Sequence, residues 1–202
     1  MDTIKTLTAF LLSAFIFLFP TDIFSAQKPK TETAVFAGGC FWTMQFDFDQ
    51  VPGVVNTTVG YSGGTTPHPT YEQVESGDSG HYESIEVVYN PAKVTYQQLL
   101  EIYWHNIDPT NANGQFCDSG NQYRPVIFYS SPEQKKLASE SKQQLIKSGR
   151  FTKVVTQILP MKAFYPAEAY HQKFYRNHAS RYDLYRKGCG RDYQLQKLWG
   201  TQ

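Results

Sequence analysis

From Thr33 to Ala37 a short apolar run leads into Gly38-Gly39, which predicts a strand with a sharp exit and a helix starting at Cys40 or Phe41. Val54 to Tyr61 is rich in β-branched residues and stops at Ser62-Gly63-Gly64. Tyr82 to Tyr89 alternates, with Ile85, Val87 and Tyr89 set against Ser84, Glu86 and Val88. Both runs carry the period of a strand. Asn90-Pro91 breaks the second one, and Thr95 then caps a helical pattern of Leu99, Leu100, Ile102 and Tyr103 that extends to about Asn106. Arg124 to Tyr129 predicts another strand. Ser131-Pro132-Glu133 opens a charged helix to Lys147, Val154 to Leu159 predicts a further strand, and Ala167 to Asn177 predicts a helix. The order strand, helix, strand, strand, helix, strand predicts an α+β fold, a two-layer ferredoxin-like (split βαβ) plait with a C-terminal extension. Long connections at 62–81 and 108–122 are expected to carry function.

The N-terminal stretch follows another pattern. Lys5 precedes an uncharged run, Leu7 to Phe19, apolar apart from Thr8 and Ser13 and short for a hydrocarbon core of ~30 Å. Pro20 and Asp22 end it. With Ser25 and Ala26 as small residues for cleavage, residues 1–26 read as a secretory signal, although Ile23 or Phe24 would occupy the third position before the cut. The alternative is an uncleaved anchor. Either reading implies export, to a bacterial periplasm or to its inner membrane, and leaves residues 27–202 as a single catalytic domain. With 19 Lys+Arg against 18 Asp+Glu, the chain lacks the field that draws nucleic acid. Its 3 Cys are too few for a disulfide scaffold, and the odd number leaves a thiol without an intramolecular partner.

Gly38-Gly39-Cys40-Phe41-Trp42 is the strongest chemical signal. A cysteine between a strand end and a helix start meets the positive end of the helix dipole, which favours thiolate and predicts a lowered pKa. Phe41 and Trp42 offer an apolar pocket suited to a small uncharged group such as a methyl. A structural cysteine among core aromatics is the alternative. Cys189, between Gly188 and Gly190, has the mobility of a resolving thiol; a static disulfide with Cys117 is the competing reading. His171 and His178 could share a helix face, but no metal-ligand spacing joins them, so no metal is expected. Alternation places Glu83 with Ile85, where burial would raise its pKa and make it an acid near neutral pH, unless it lies exposed at an edge. Asp118, Gln122, Tyr123 and Arg124 crowd a loop entering a strand, and Tyr71 follows Pro69-Thr70. None of the five histidines sits in a nucleophile-base signature of a cysteine hydrolase.

These segments together resemble a known family. Gly39-Cys40-Phe41-Trp42, Gly60-Tyr61-Ser62-Gly63-Gly64, Tyr71 with Val74, Ser76 and Gly77, Gly80-His81-Tyr82-Glu83, Asp108-Pro109-Thr110, Asp118 through Arg124, and Ala167-Glu168-Ala169-Tyr170-His171-Gln172 are similar to peptide methionine sulfoxide reductase A. The resemblance implies reduction of the S epimer of methionine sulfoxide, free or in oxidised proteins, by a monomer with no cofactor. Carried over by position, it implies that Cys40 attacks the sulfoxide sulfur, Phe41 and Trp42 hold its methyl, and Glu83 protonates the oxygen. Tyr71 and Tyr123 would hydrogen-bond that oxygen, with Asp118 close by. A Cys40 sulfenic acid would condense with Cys189, or alternatively Cys117, and a thioredoxin-like donor would reduce the disulfide. Two departures stand out: Thr43 follows Trp42 where many members have Gly and others a recycling Cys, and Pro125 follows Arg124 where Ser is common. A thiol peroxidase or disulfide oxidoreductase would share the cysteines without needing the methyl pocket, and a non-catalytic binding module would need only the tyrosines.

Overall fold

The computed structural model describes residues 30–200, so the proposed signal segment lies outside the described residues. A six-stranded sheet forms the centre, in the order β7, β6, β1, β3, β2, β8. Its middle comprises β1 (Glu32–Ala37), β2 (Val54–Ser62), β3 (Tyr82–Tyr89) and β6 (Val126–Tyr129). β3 pairs antiparallel with both β1 and β2, and β1 pairs antiparallel with β6. At the margins β7 (Gln157–Pro160) runs parallel to β6, and β8 (Phe164–Pro166) runs antiparallel to β2. The remaining pair, β4 (Gly114–Gln115) and β5 (Asp118–Ser119), forms a separate small ribbon inside the long 108–122 connection.

Period-two alternation divides the sheet into two apolar faces. Ala34, Phe36, Ile85, Val87, Tyr89 and Ile127 point to the larger core, which is covered by α1 (Phe41–Asp49), α3 (Tyr96–His105) and α4 (Pro132–Lys147). Val35, Ala37, Tyr82, Val126 and Phe128 point the other way, against Leu159, Met161 and Phe164. Local chemistry starts the helices where the sequence places them. Thr95 caps α3 reciprocally with Gln98, while Ser131 accepts from the backbone of Gln134 and Pro132 occupies the first turn of α4.

The Ala167 to Asn177 segment departs from the single helix expected of it. It forms a short 3-10 turn at Ala169–His171, then Lys173 takes φ 51°, then a one-turn helix α5 (Phe174–Asn177) follows. Tertiary anchors override the helical pattern here. The Gln172 amide accepts from Val59 N–H and donates to Val59 and Ala167 carbonyls, and Lys173 Nζ bonds Asp49 and Thr57. His171 and His178 therefore do not share a helix face. Strand β7 starts later than the expected Val154, at Gln157. The C-terminal extension consists of α6 (Ala179–Gly188) and α7 (Arg191–Trp199), and the short helix α2 (Tyr71–Glu75) sits inside the 62–81 connection. No helix among the described residues is long and apolar enough to cross a membrane.

Candidate active site

Cys40 sits at the junction of β1 and α1 as the residue capping the helix. The preceding Gly39 has φ +87°, and a Cβ there would stand 2.7 Å from Cβ of Gln115, so only glycine makes this approach without strain. Gln115 is buried and holds the neighbouring loop by accepting from Asp108 N–H and donating to the Asp108 carbonyl, each at 2.8 Å. Thr43, which departs from the pattern of the resembling family, donates its hydroxyl to the Cys40 carbonyl at 2.8 Å and so tightens the first turn.

Glu83 and Cys40 meet through that turn. The Phe41 N–H, an otherwise unpaired donor at the helix start, donates to Glu83 Oε2 at 3.0 Å. Glu83 is 3% exposed, which removes the reading of an edge carboxylate. Burial pushes its pKa up to about 8, assisted by the charges of Asp118 and Glu75 and opposed by the Phe41 N–H. Tyr71 and Tyr123 are half-buried phenols whose pKa values rise mainly through burial and then through the charge of Glu83, with Cys40 also acting on both. Both phenols thus lie within electrostatic range of the carboxyl and the thiol.

The expected low pKa of Cys40 is corrected by its surroundings. Burial pushes the thiol well up, and the carboxyls of Glu83 and Asp118 push it further; a hydrogen bond with the Tyr185 hydroxyl draws it back only in part. Tyr185, on α6, donates to Asp118 Oδ2 at 2.6 Å, and Asp118 is itself raised by burial. Tyr185 stands in no motif of the sequence, and Glu168 stands there only within the resembling Ala167 to Gln172 segment, without a role. Glu168 accepts from the Tyr61 hydroxyl at 2.8 Å and the Tyr71 N–H at 2.9 Å, thereby fixing the start of α2. Tyr185 meets Cys40 in space across a long separation in the chain, which spacing along the sequence does not carry.

The aromatic wall is built from both ends of the domain. Phe41 is buried against Tyr61, with ring centroids 6.0 Å apart. Trp42 is partly exposed, stacks on Phe174 at 3.8 Å and meets Tyr185 edge-on at 5.9 Å.

The other two thiols are joined. Cys117 and Cys189 form a disulfide across a sequence separation of 72, and Cys40 is free and buried. The expected mobile Cys189 is instead buried and covalently held, with the Cys117 N–H directed at its sulfur at 3.2 Å. Two residues on, Arg191 is also buried: it bonds the Asn106 carbonyl and lies 4.6 Å above the Phe116 ring. The Gly-flanked segment is thus anchored on both sides of the cysteine.

Known proteins resemble this chain in sequence and in fold. A model of the peptide methionine sulfoxide reductase family matches residues 32–202. The peptide methionine sulfoxide reductase MsrA of Halalkalibacterium halodurans is 49% identical over 175 residues, covering 86% of this chain and 99% of that protein. Its namesake from Limosilactobacillus reuteri is 50% identical over 170 residues, covering 83% and 97%. Among solved structures, methionine sulfoxide reductase A of Corynebacterium diphtheriae superposes with a TM-score of 0.68 at 34% identity, covering 75% of this chain and 77% of that one. The reduced form of Mxr1 from Saccharomyces cerevisiae gives a TM-score of 0.68 at 33% identity, covering 74% and 87%.

Proposed function

This chain belongs to the peptide methionine sulfoxide reductase family, and on that premise we propose that Cys40 and Glu83 perform its reduction of methionine sulfoxide, with Phe41, Trp42, Tyr71, Tyr123 and Asp118 binding the substrate. It is an oxidoreductase that works through a reactive cysteine. Sulfur of Cys40 attacks the sulfoxide sulfur while Glu83, protonated at neutral pH, delivers its proton to the sulfoxide oxygen, and the thiol proton restores Glu83. Collapse transfers hydroxyl to Cys40 as a sulfenic acid and releases methionine, so that two electrons pass from the cysteine to the substrate. Tyr71 and Tyr123 hold the oxygen as it gains charge, which matters most in a site that excludes water. Phe41 and Trp42 hold the methyl of the S epimer.

A second thiol then attacks the sulfenic acid, expelling water and leaving a disulfide, which a thioredoxin-like dithiol reduces. The bond between Cys117 and Cys189 fits both a static disulfide and a relay through the two cysteines, in which Cys189 is the thiol assigned to Cys40 and Cys117 the alternative; a bond absent before oxidation marks the relay. The observation that carries the reading is the buried Glu83 carboxyl bonded to the backbone of the residue after Cys40. In single-turnover assays with prereduced protein, Cys40→Ser releases less than a few per cent of the methionine released by the native protein from the S-sulfoxide, because a serine hydroxyl is a far weaker nucleophile toward sulfur. Native rates with peroxide exceeding those with sulfoxide would favour a thiol peroxidase instead.

Three further readings go with this one. The four middle strands constitute a split βαβ, ferredoxin-like plait, supported by their order β6, β1, β3, β2 and the helices between them. Residues 27–202 act as a single-domain monomer, a state that sedimentation of the native protein tests. Export is supported by the charge and apolar pattern of residues 1–26, to the periplasm if cleaved or to an inner-membrane anchor if not.

A further inference from the structure

A carboxylate stands beside the two bonded cysteines. One oxygen of Asp118 accepts from Tyr185, while the other, Oδ1, lies 3.7 Å from the Cys117 sulfur. A carboxylate oxygen and the two sulfurs all lie within 4.8 Å of one another. Zinc takes thiolate sulfur at about 2.3 Å and carboxylate oxygen at about 2.0–2.2 Å in a tetrahedron, which separates its ligands by roughly 3.5–3.8 Å. The three ligand atoms are thus already gathered on the scale of one ion. Their backbone is held by contacts other than the bond itself: Gln115 ties the loop to Asp108, the Phe116 ring lies under the Arg191 guanidinium, and the Cys189 N–H donates to the Tyr185 carbonyl at 2.8 Å. The Cys117 N–H, directed at the Cys189 sulfur at 3.2 Å, is the kind of outer hydrogen bond that steadies a metal-bound thiolate. Two thiolates and a carboxylate exceed a divalent cation by one negative charge, and the buried Arg191, whose charge already acts on Asp118, balances it. Cys117 is exposed, so the fourth position opens to water.

We propose that the reduced chain binds one thiolate-seeking divalent cation, Zn²⁺ or its analogue Cd²⁺, through Cys117, Cys189 and Asp118. Metal and disulfide compete for the same sulfurs. Two electrons from a dithiol open the bond to two thiols, and the cation then replaces their two protons without any change of oxidation state. Soft sulfur ligands favour such ions over Mg²⁺ or Ca²⁺. The spacing of His171 and His178 gave no sign of this site, because its cysteines stand 72 residues apart. One consequence rests on the proposed function: a bound cation withholds both recycling thiols from a Cys40 sulfenic acid, so that the metal acts as an inhibitor of recycling and not as a cofactor.

The test titrates prereduced native protein with Cd²⁺ and follows the ultraviolet charge-transfer band of cadmium thiolate. The band saturates at one equivalent, is displaced by Zn²⁺ but not by Mg²⁺, and is absent from protein in which Cys117 and Cys189 are bonded. Cys117→Ser, Cys189→Ser and Asp118→Asn each weaken Cd²⁺ binding at least about tenfold, while Cys40→Ser binds as the native protein does. Bound Zn²⁺ also slows alkylation of Cys117 by iodoacetamide at least about tenfold and leaves that of Cys40 within about twofold, since only a free thiolate reacts. An equal band in the oxidised protein, its loss in Cys40→Ser, native affinity in any one of the other three variants, or an unprotected Cys117 overturns the proposal. Should a variant fail to fold, the reduced and oxidised native proteins, which differ by one bond, decide. None of these readouts needs turnover, so native protein inert toward sulfoxide would defeat the reductase reading while the site is still judged by its metal.

Discussion

A carboxyl group buried without a cation beside it keeps its proton to a pH at which exposed glutamates have long lost theirs. Glu83, at about 8 against an ordinary 4.5, is such a group. Sulfenic acid formation should therefore be fastest below pH 8 and fall as pH rises through it. In Glu83→Gln the rate drops ~10² to 10⁴-fold and this fall disappears, since an amide donates a hydrogen bond but no proton; stopped-flow measurement of methionine release across pH 6 to 9 checks it. The same shift acts on stability. Because the folded value lies above the unfolded one, the contribution of Glu83 is fully present below about 4.5 and is lost as pH rises through about 8. Urea denaturation should find Glu83→Gln gaining on the native protein between pH 5 and 9. For Cys40 the competing magnitudes decide the outcome. A helix N-terminus contributes about 0.3–1 kcal/mol to an anion, whereas full burial moves a pKa by up to ~3–5 units of about 1.4 kcal/mol each. The resting thiol should accordingly alkylate with iodoacetamide more slowly than a free cysteine at pH 7, and more slowly still in Tyr185→Phe, which lacks the hydroxyl that draws its pKa down.

One turn of backbone coordinates several of the groups around the nucleophile. Gly38-Gly39 ends β1, Cys40 caps α1, and the first N–H of α1 holds Glu83, which extends from β3 two strands along the sheet from β6. Gly39→Ala requires a side chain at φ +87° and 2.7 Å from Gln115. Strain of this kind costs about 1–3 kcal/mol, and displacement of Gln115 also loosens its two bonds to Asp108. Denaturation should show that loss together with a single-turnover rate reduced beyond it, because Cys40 moves with the turn. An unchanged rate with reduced stability would mean that the turn supports the fold without aiming the thiol. Element existence was legible where the pattern was periodic: β1, β2, β3, α3 and α4 appear within a few residues of expectation. Ala167 to Asn177 departs from its helical pattern because the polar side chains of Gln172 and Lys173 answer to Val59, Asp49 and Thr57 in other elements.

Across the molecule, the disulfide between Cys117 and Cys189 joins the 108–122 connection to the end of α6, bringing Asp118 and Tyr185 together beside Cys40. Closing a loop over a separation of 72 residues stabilises the chain by about 2–4 kcal/mol. Reduction by a dithiol should lower the unfolding free energy by that amount without touching the first turnover. Cys189→Ser should likewise leave one equivalent of methionine release intact and stop recycling by thioredoxin, with Cys117→Ser less severe. Peptide mapping of prereduced protein after one equivalent of sulfoxide checks the order: a bond from Cys40 to Cys189 supports it, a bond from Cys40 to Cys117 with Cys189 free reverses it, and a new bond from Cys117 to Cys189 shows the relay.

Alternation and turn residues by themselves determined the strands of the middle sheet, the three long helices over it and the placement of Cys40 at a strand-to-helix junction, because these depend on neighbours within one or two turns of the chain. Parity with Ile85 placed Glu83 on the Ile85 face of β3, while its burial was decided by what covers that end of the strand, where Ser84 on the opposite face is buried as well. Only the tertiary structure decided the state of the cysteines, since a mobile and a bonded Cys189 are written with the same flanking glycines and differ in whether Cys117 lies within reach. It also decided the charge of Cys40: the dipole is local and readable, but the desolvation and the two carboxyls that outweigh it come from distant segments. Trp42 and His171 are 129 residues apart, and no local pattern announces a hydrogen bond at that separation. Long-range packing sets which polar atoms are buried together, and that choice lies beyond any periodicity along the chain.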